Sequence, residues 1–221
     1  MDVYEAVTTR RAVRDFSAEP VSQEVLTRVL TAAAWAPSSS NMQPWRSYVV
    51  TGAPLVKLKE LTAARLAAQD PWDPSQYEMY PPKLKSPYKE RRYAFGEQRY
   101  GALGIPAEDV EGRRRAAAAN WDCFGAPAAL FCYIDRQMGP AQWSDVGMYL
   151  QTVMLLLRAE NLHSCPQMAW SLFRESVADI VSPPEDLILF CGMSIGQENP
   201  TADSPRTGRA ALAETTTFID Q

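Results

Sequence analysis

The chain has 221 residues, 46% of them hydrophobic and 22% charged, a balance that supports one well-filled core and excludes disordered, collagen-like and mucin-like classes. Its 22 basic residues against 26 acidic leave a net charge of −4, without the basic footprint of a dedicated nucleic-acid binder. Cys123, Cys132, Cys165 and Cys191 stand far apart with no CxxC, and His163 is the only histidine, so a metal site, a disulfide framework and a histidine-dependent triad are all poorly supplied.

The N-terminus starts polar, and nowhere does an apolar run reach the length of a bilayer span. Those features predict a cytoplasmic protein without a membrane partner. Asp2 caps a short helix to about Thr9, with Val3, Ala6 and Val7 at helical spacing. It leads into Arg10-Arg11-Ala12-Val13-Arg14-Asp15-Phe16, and if the helix continues, Arg10 and Arg14 share a face at i, i+4. Ser22 caps a second helix whose apolar face, Val25, Leu26, Val29, Leu30 and Ala33, ends before Pro37. A polar turn-forming link follows, Ser38 to Pro44, then a strand over Trp45–Thr51 and a helix from Pro54 to about Gln69.

Residues 70–115 break this pattern with six prolines and with Trp72, Tyr77, Tyr80, Tyr88, Tyr93, Phe95 and Tyr100. The segment reads as an aromatic-rich insertion carrying one helix across Lys89–Leu103 and another across Ala107–Trp121, divided by Pro106. Its rings suit a lid over a ligand, an oligomer contact or packing of the insertion on itself. Beyond Pro127, Ala128–Ile134 is a buried-type strand, Trp143–Asn161 is the most apolar helix, and Leu187–Ile195 is a second interior strand. His163, just after that helix, reads as a capping or packing residue. Thr215–Ile219 has strand propensity but little local partner, which suits a sheet edge on another subunit. About four strands among much helix predict an α+β layered domain over residues 1–221. No GxGxxG and no GxxxxGK[ST] occurs, against Rossmann and P-loop enzymes.

Few side chains are left for acid–base work, so an enzyme built this way needs a bound cofactor. Arg10, Arg11 and Arg14 crowd three guanidinium groups into five residues; they suit a phosphate monoester, or else a solvated surface paired with Asp15 and Glu19. Arg206 and Arg209 lie in a Pro- and Gly-fixed loop that either returns to the first cluster or is simply solvated. The link from Ser38 to Trp45 offers hydroxyls and amides for a ribityl chain or a pyrimidine edge, or is a plain helix C-terminal turn. Taken in order, Arg10 to Phe16, Ala36 to Trp45, Phe124-Gly125-Ala126-Pro127, and Gly192 to Gly196 with the Arg206 loop resemble the FMN-dependent nitroreductase family. The resemblance spans nearly the whole chain.

It implies a central, mostly antiparallel sheet flanked by helices, in an intertwined homodimer with FMN at the subunit interface. Position by position, it implies that Arg10, Arg11 and Arg14, with Arg206 and Arg209, hold the FMN phosphate, with Ala12 among the cofactor-binding positions. Pro37, Ser38, Ser39, Ser40, Asn41 and Gln43 are then supplied by the second subunit. Pro166, Gln167, Met168 and Ala169 lie beside the flavin, with a backbone N–H of Met168 or Ala169 on flavin N5. Ala12 stands where the family often has serine, a loss of one hydroxyl contact costing about 0.5–1.5 kcal/mol. The implied reaction is ping-pong: NADH or NADPH passes a hydride to N5 and leaves, and a nitroaromatic or quinone-like acceptor then takes two electrons. The resemblance further implies that Phe124 and Tyr88 line the acceptor site, Phe124 reading equally as core packing, with neither a catalytic side chain nor a metal. Reductive dehalogenation, flavin breakdown and a non-catalytic flavin-binding interaction module are the alternatives. Among Lys83, Lys85, Lys89, Arg91 and Arg92 a cation is available for the 2′-phosphate of NADPH.

Overall fold

Alternation with a period of two builds the centre of the molecule. In the computed structural model, which describes residues 1–202 and 205–220, strands β1 (Trp45–Thr51), β2 (Ala128–Asp135), β3 (His163–Gln167) and β4 (Leu187–Gly196) form one sheet in the order β1-β2-β4-β3. Every neighbouring pair is antiparallel. Residues 128–134 of β2 are all buried, and successive side chains leave opposite faces of the strand. Ala128, Leu130, Cys132 and Ile134 enter one core, and Ala129, Phe131 and Tyr133 enter the other.

The first core is closed by helices α2 (Gln23–Ala33) and α6 (Pro140–Ala159), through Leu26, Val29, Val146, Val153 and Leu157. Helix α3 (Gly52–Ala67) and helix α7 (Arg174–Val181) close the second through Leu55, Leu58 and Val177, together with Trp170 and Phe173. A helix–sheet–helix sandwich results, and the expected α+β architecture with a mostly antiparallel sheet is present. At Gly192 of β4 an added Cβ would stand 2.4 Å from Cδ1 of Trp170. Only glycine leaves room for the indole this close to the strand.

Several elements differ from the sequence expectation. Helix α6 starts at Pro140, because proline is well placed in a first helical turn, where its missing N–H has no partner anyway. The helix expected over Ala107–Trp121 is shorter, α5 (Val110–Ala118), capped by Asp109 and followed by a 3₁₀ stretch over Ala119–Gly125. That stretch breaks where Cys123 and Phe124 both adopt φ of 53°, in the left-handed region. The other insertion helix, α4, spans Tyr88–Ala102. Strand β3 had no sequence signal of its own, because His163-Ser164-Cys165-Pro166-Gln167 lacks β-branched residues and contains a proline; an edge strand tolerates both. At the C-terminus a short helix α8 (Leu212–Thr215) replaces the start of the expected strand, and Phe218 and Ile219 are exposed without strand pairing in this chain.

The insertion packs onto the core at several points. Arg65 of α3 forks onto Asp73, at 2.7 Å for Nη2 to Oδ1, and Asp73 also accepts the N–H of Glu175. Tyr77 donates its hydroxyl to the carbonyl of Phe190 and meets Trp143 edge-on, with ring centroids 5.3 Å apart.

Candidate functional site

Helix α1 (Val3–Thr9) stops before the arginines. Arg10 turns extended at φ −63° and ψ 131°, and its N–H closes the last turn on Ala6. The cause is tertiary: Ala12 bridges Ser164 of β3 in parallel fashion, and the Val13 N–H donates to the Ser164 carbonyl at 3.2 Å. The expected helical pairing of Arg10 with Arg14 is therefore replaced by strand alternation. Val13 drops into the core at zero exposure, while Arg10, Ala12 and Arg14 all line one cavity of about 530 Å³.

The far end of the chain completes that cavity. Pro205, Arg206, Thr207 and Arg209 form its other wall, so residues some 190 positions apart in sequence bring five guanidinium groups together, Arg11 included. No carboxylate lines it among the described residues. Burial, and the nearby charge of Arg209, lower the pKa of Arg10. Such a gathering of like charge is costly unless an anion sits among them. Neither Asp15 nor Glu19 forms an ion pair with these arginines among the described residues, which removes the pairing invoked for a plain basic surface. Arg14 lies over the Phe95 ring at 5.4 Å, and Gln98 of α4 ties down the loop by donating to the Arg206 carbonyl at 2.8 Å.

Arg11 differs from its neighbours. Its guanidinium is paired with Glu198, a residue with no sequence signal of its own, just past β4. Arg158 donates from Nη1 to Nε2 of His163 at 3.2 Å, and Glu198 lies 3.9 Å from the same ring nitrogen. Burial, then Arg158, push the His163 pKa down to about 4. The ring is neutral in the fold and protonated more readily when the chain unfolds, so stability is present above the unfolded pKa of about 6.5 and is lost as pH falls through about 4. We expect this residue to contribute on the order of 1–2 kcal/mol to that loss, discounted for partial solvent exposure. Urea unfolding between pH 7 and pH 4 checks it: His163→Asn should flatten the slope, and an unaltered slope would exclude His163 as its source.

The link after α2 is rigid yet displayed. Ser40, Asn41 and Gln43 adopt φ of 51°, 55° and 48°. The strain is held by Ser38 Oγ, which accepts the Gln43 N–H at 3.0 Å, and by buried Asp145, which accepts the Ser39 N–H at 3.1 Å. Pro37, Ser39, Ser40, Asn41 and Gln43 are exposed, and Ser38 is half-buried. None of them lines the arginine cavity of its own chain.

Of the segment after β3, Pro166 is exposed, while Met168 and Ala169 are half-buried at the start of a 3₁₀ helix over Met168–Phe173. The Gln167 side chain serves the fold instead. It is buried, its Nε2 donates to the Asn120 carbonyl at 2.7 Å, and its Oε1 accepts from Ser194 and Trp170. Only its backbone is left for a ligand.

A second cavity, of about 420 Å³, adjoins the first and shares Ala12, Arg14, Phe95, Pro205 and Thr207 with it. Helices α4 and α5 form its walls, so the insertion lies over a ligand-sized space as well as packing on the core. Phe124 lines this cavity while also belonging to the core. Tyr88, at the exposed start of α4, does not line it. Phe95 stood in the sequence only as one of seven insertion rings, and Arg99 and Thr207 were absent from that reading, since helical spacing alone does not say which face of an insertion meets the core. Among the described residues no group of His, Cys, Asp and Glu could hold a metal ion, and no helix is long and apolar enough to cross a membrane.

The sandwich thus carries a cavity walled by arginines from both ends of the chain. The sequence pattern of the Nitroreductase family matches residues 7–197. A 4-nitrobenzoate reductase of Pseudomonas putida is 37% identical over 216 residues, covering 96% of this chain and 93% of that protein. The crystal structure of an FMN and NADPH-dependent nitroreductase, NfnB, from Sphigopyxis sp. strain HMH superposes with a TM-score of 0.94 at 38% identity, covering all of both chains. That of the FMN-dependent nitroreductase NfnB from Mycobacterium smegmatis in complex with NADPH gives 0.92 at 30% identity, over 98% of this chain and 97% of the other. The chain belongs to the nitroreductase family, and it is an enzyme.

Proposed function

We propose that this protein binds FMN and uses NADPH or NADH to reduce nitroaromatic acceptors. The observation that carries this reading is the convergence of Arg10, Arg14, Arg206 and Arg209, from the two ends of the chain, on one cavity that no carboxylate lines among the described residues. That donor set fits a phosphate monoester, with about two negative charges and three acceptor oxygens. Arg11 strengthens the field of the site but already shares its charge with Glu198. Ala12 offers the phosphate only backbone and space. When bound, FMN supplies a two-electron carrier between a reduced nicotinamide and an acceptor.

The chain's own residues bind, orient and shield. The first N–H groups of a helix have no partner within it, so Met168 and Ala169 supply backbone donors for the ring system at the start of their 3₁₀ turn. The hydrogen-bonded and mostly exposed run from Pro37 to Gln43 suits a second copy of the chain, reaching across a twofold interface to that copy's cofactor. Trp35, with 89% of its surface exposed, and exposed Tyr4 and Met42 are the apolar area that such a homodimer covers. For the 2′-phosphate of NADPH the candidates narrow, because Arg91 is paired with Glu214 at 3.1 Å and Arg92 lies on the Tyr80 ring at 4.1 Å. Exposed Lys83, Lys85 and Lys89 carry that role.

Anaerobic spectroscopy of the purified protein tests the reading. Flavin bands that bleach with NADPH and return on adding nitrobenzene are the expected result. A flavin that bleaches but is not reoxidised by any nitroarene would remove the proposed acceptor class.

A further inference from the structure

We infer that the second cavity takes an aromatic acceptor bearing a carboxylate, and that Arg99 on α4 selects it. The inference rests on the flavoenzyme reading above and names the substrate class of that site. The cavity wall is largely apolar, through Phe95, Ala102, Leu103, Ile105, Ala116 and Phe124, which suits one aromatic ring. Into this wall the fold places a guanidinium that it does not satisfy. Nη2 of Arg99 donates to the Ala116 carbonyl at 3.2 Å, but Nε is shut from solvent with no partner.

No ion pair to Arg99 exists among the described residues, and burial together with Arg14 lowers its pKa, the mark of a cation short of negative charge. Among the described residues two carboxylates line the cavity, and each accepts a hydrogen bond from the protein. Asp109 caps α5 by accepting the Gly112 N–H at 2.8 Å, and Asp15 accepts from Asn199 at 3.3 Å. A half-buried guanidinium with a buried, unpartnered Nε carries a desolvation cost, and a ligand carboxylate relieves it with a charge-assisted hydrogen bond that a neutral arene cannot make. Because Arg14 and Phe95 border both cavities, a ring held there lies next to the phosphate site.

The test uses the flavin-loaded enzyme and two probes differing in one charge, 4-nitrobenzoate and its methyl ester. The wild type should favour the acid in kcat/KM, and Arg99→Met should lower the acid-to-ester ratio about 10- to 100-fold, the worth of a hydrogen bond to a charged group. Arg99→Lys, which keeps a charge, should lie between. Benzoate, which is not reduced, should perturb the flavin spectrum of the wild type, with a dissociation constant that rises by a similar factor in Arg99→Met. A wild type indifferent to the charge, or a ratio unmoved by Arg99→Met, would overturn the inference. So would a loss of FMN affinity in Arg99→Met with the ratio intact, which would assign Arg99 to the flavin. Failure to bind FMN at all, in contrast, would count against the flavoenzyme reading itself.

Discussion

Arg10→Glu should weaken FMN binding about 100- to 1000-fold, leaving the protein nearly colourless after gel filtration. Two effects add. The variant loses a charge-assisted hydrogen bond, worth roughly 1.5–3 kcal/mol, and sets a carboxylate where the phosphate belongs. That carboxylate is close enough to Arg209 for the two arginines to influence each other in the native protein, so it draws off a second ligand. Arg11→Gln should cost much less flavin, because its guanidinium is already committed to Glu198. Fluorescence titration of the apoproteins with FMN separates the two. Equal losses in both variants would mean that the arginine cavity is not selective in the way its geometry indicates.

The second large effect is on stability. Trp170 is fully buried, meets Phe131 edge-on at 5.2 Å and donates from Nε1 to Gln167. Trp170→Ala should cost about 3–5 kcal/mol of unfolding free energy, the range for emptying a large aromatic site. Gly192→Ala should cost about 1–3 kcal/mol by overpacking, since the new methyl would sit 2.4 Å from the indole. In the Trp170→Ala background that penalty should largely vanish, because the indole it strikes is gone. Urea denaturation of the two single variants and the double variant measures the coupling, and strict additivity would contradict the contact. Trp170 sits next to Met168 and Ala169 in the same 3₁₀ helix, so flavin affinity should fall along with stability.

The sequence shows what is local and periodic. The strands over 45–51, 128–135 and 187–196 are runs of apolar, aromatic and β-branched residues, and all are found. Ser22 and Asp2 announce their helices and cap them as expected. Less legible was the arginine run: Arg and Ala favour helix, but a bridge to β3, itself without strand propensity, holds residues 10–14 extended. Propensity lost there to a tertiary contact. The meeting of Arg206 and Arg209 with Arg10 stood as one of two readings, because no local pattern encodes a contact across most of the chain. Glu198 and Arg99 carried no signal, since a single charge reveals its partner only once the fold does. The link from Pro37 to Gln43 was legible as a motif, but only the fold shows that it lies outside the arginine cavity of its own chain.

The measurement that bears most directly on the central claim is a paired titration of the apoprotein with FMN and with riboflavin, which lacks the phosphate. If Arg10, Arg14, Arg206 and Arg209 cradle a phosphate, FMN should bind at least about 100-fold more tightly than riboflavin at low salt, and the gap should narrow as ionic strength rises. Equal affinity for the two at every salt concentration would show that the arginine cavity holds something other than the FMN phosphate.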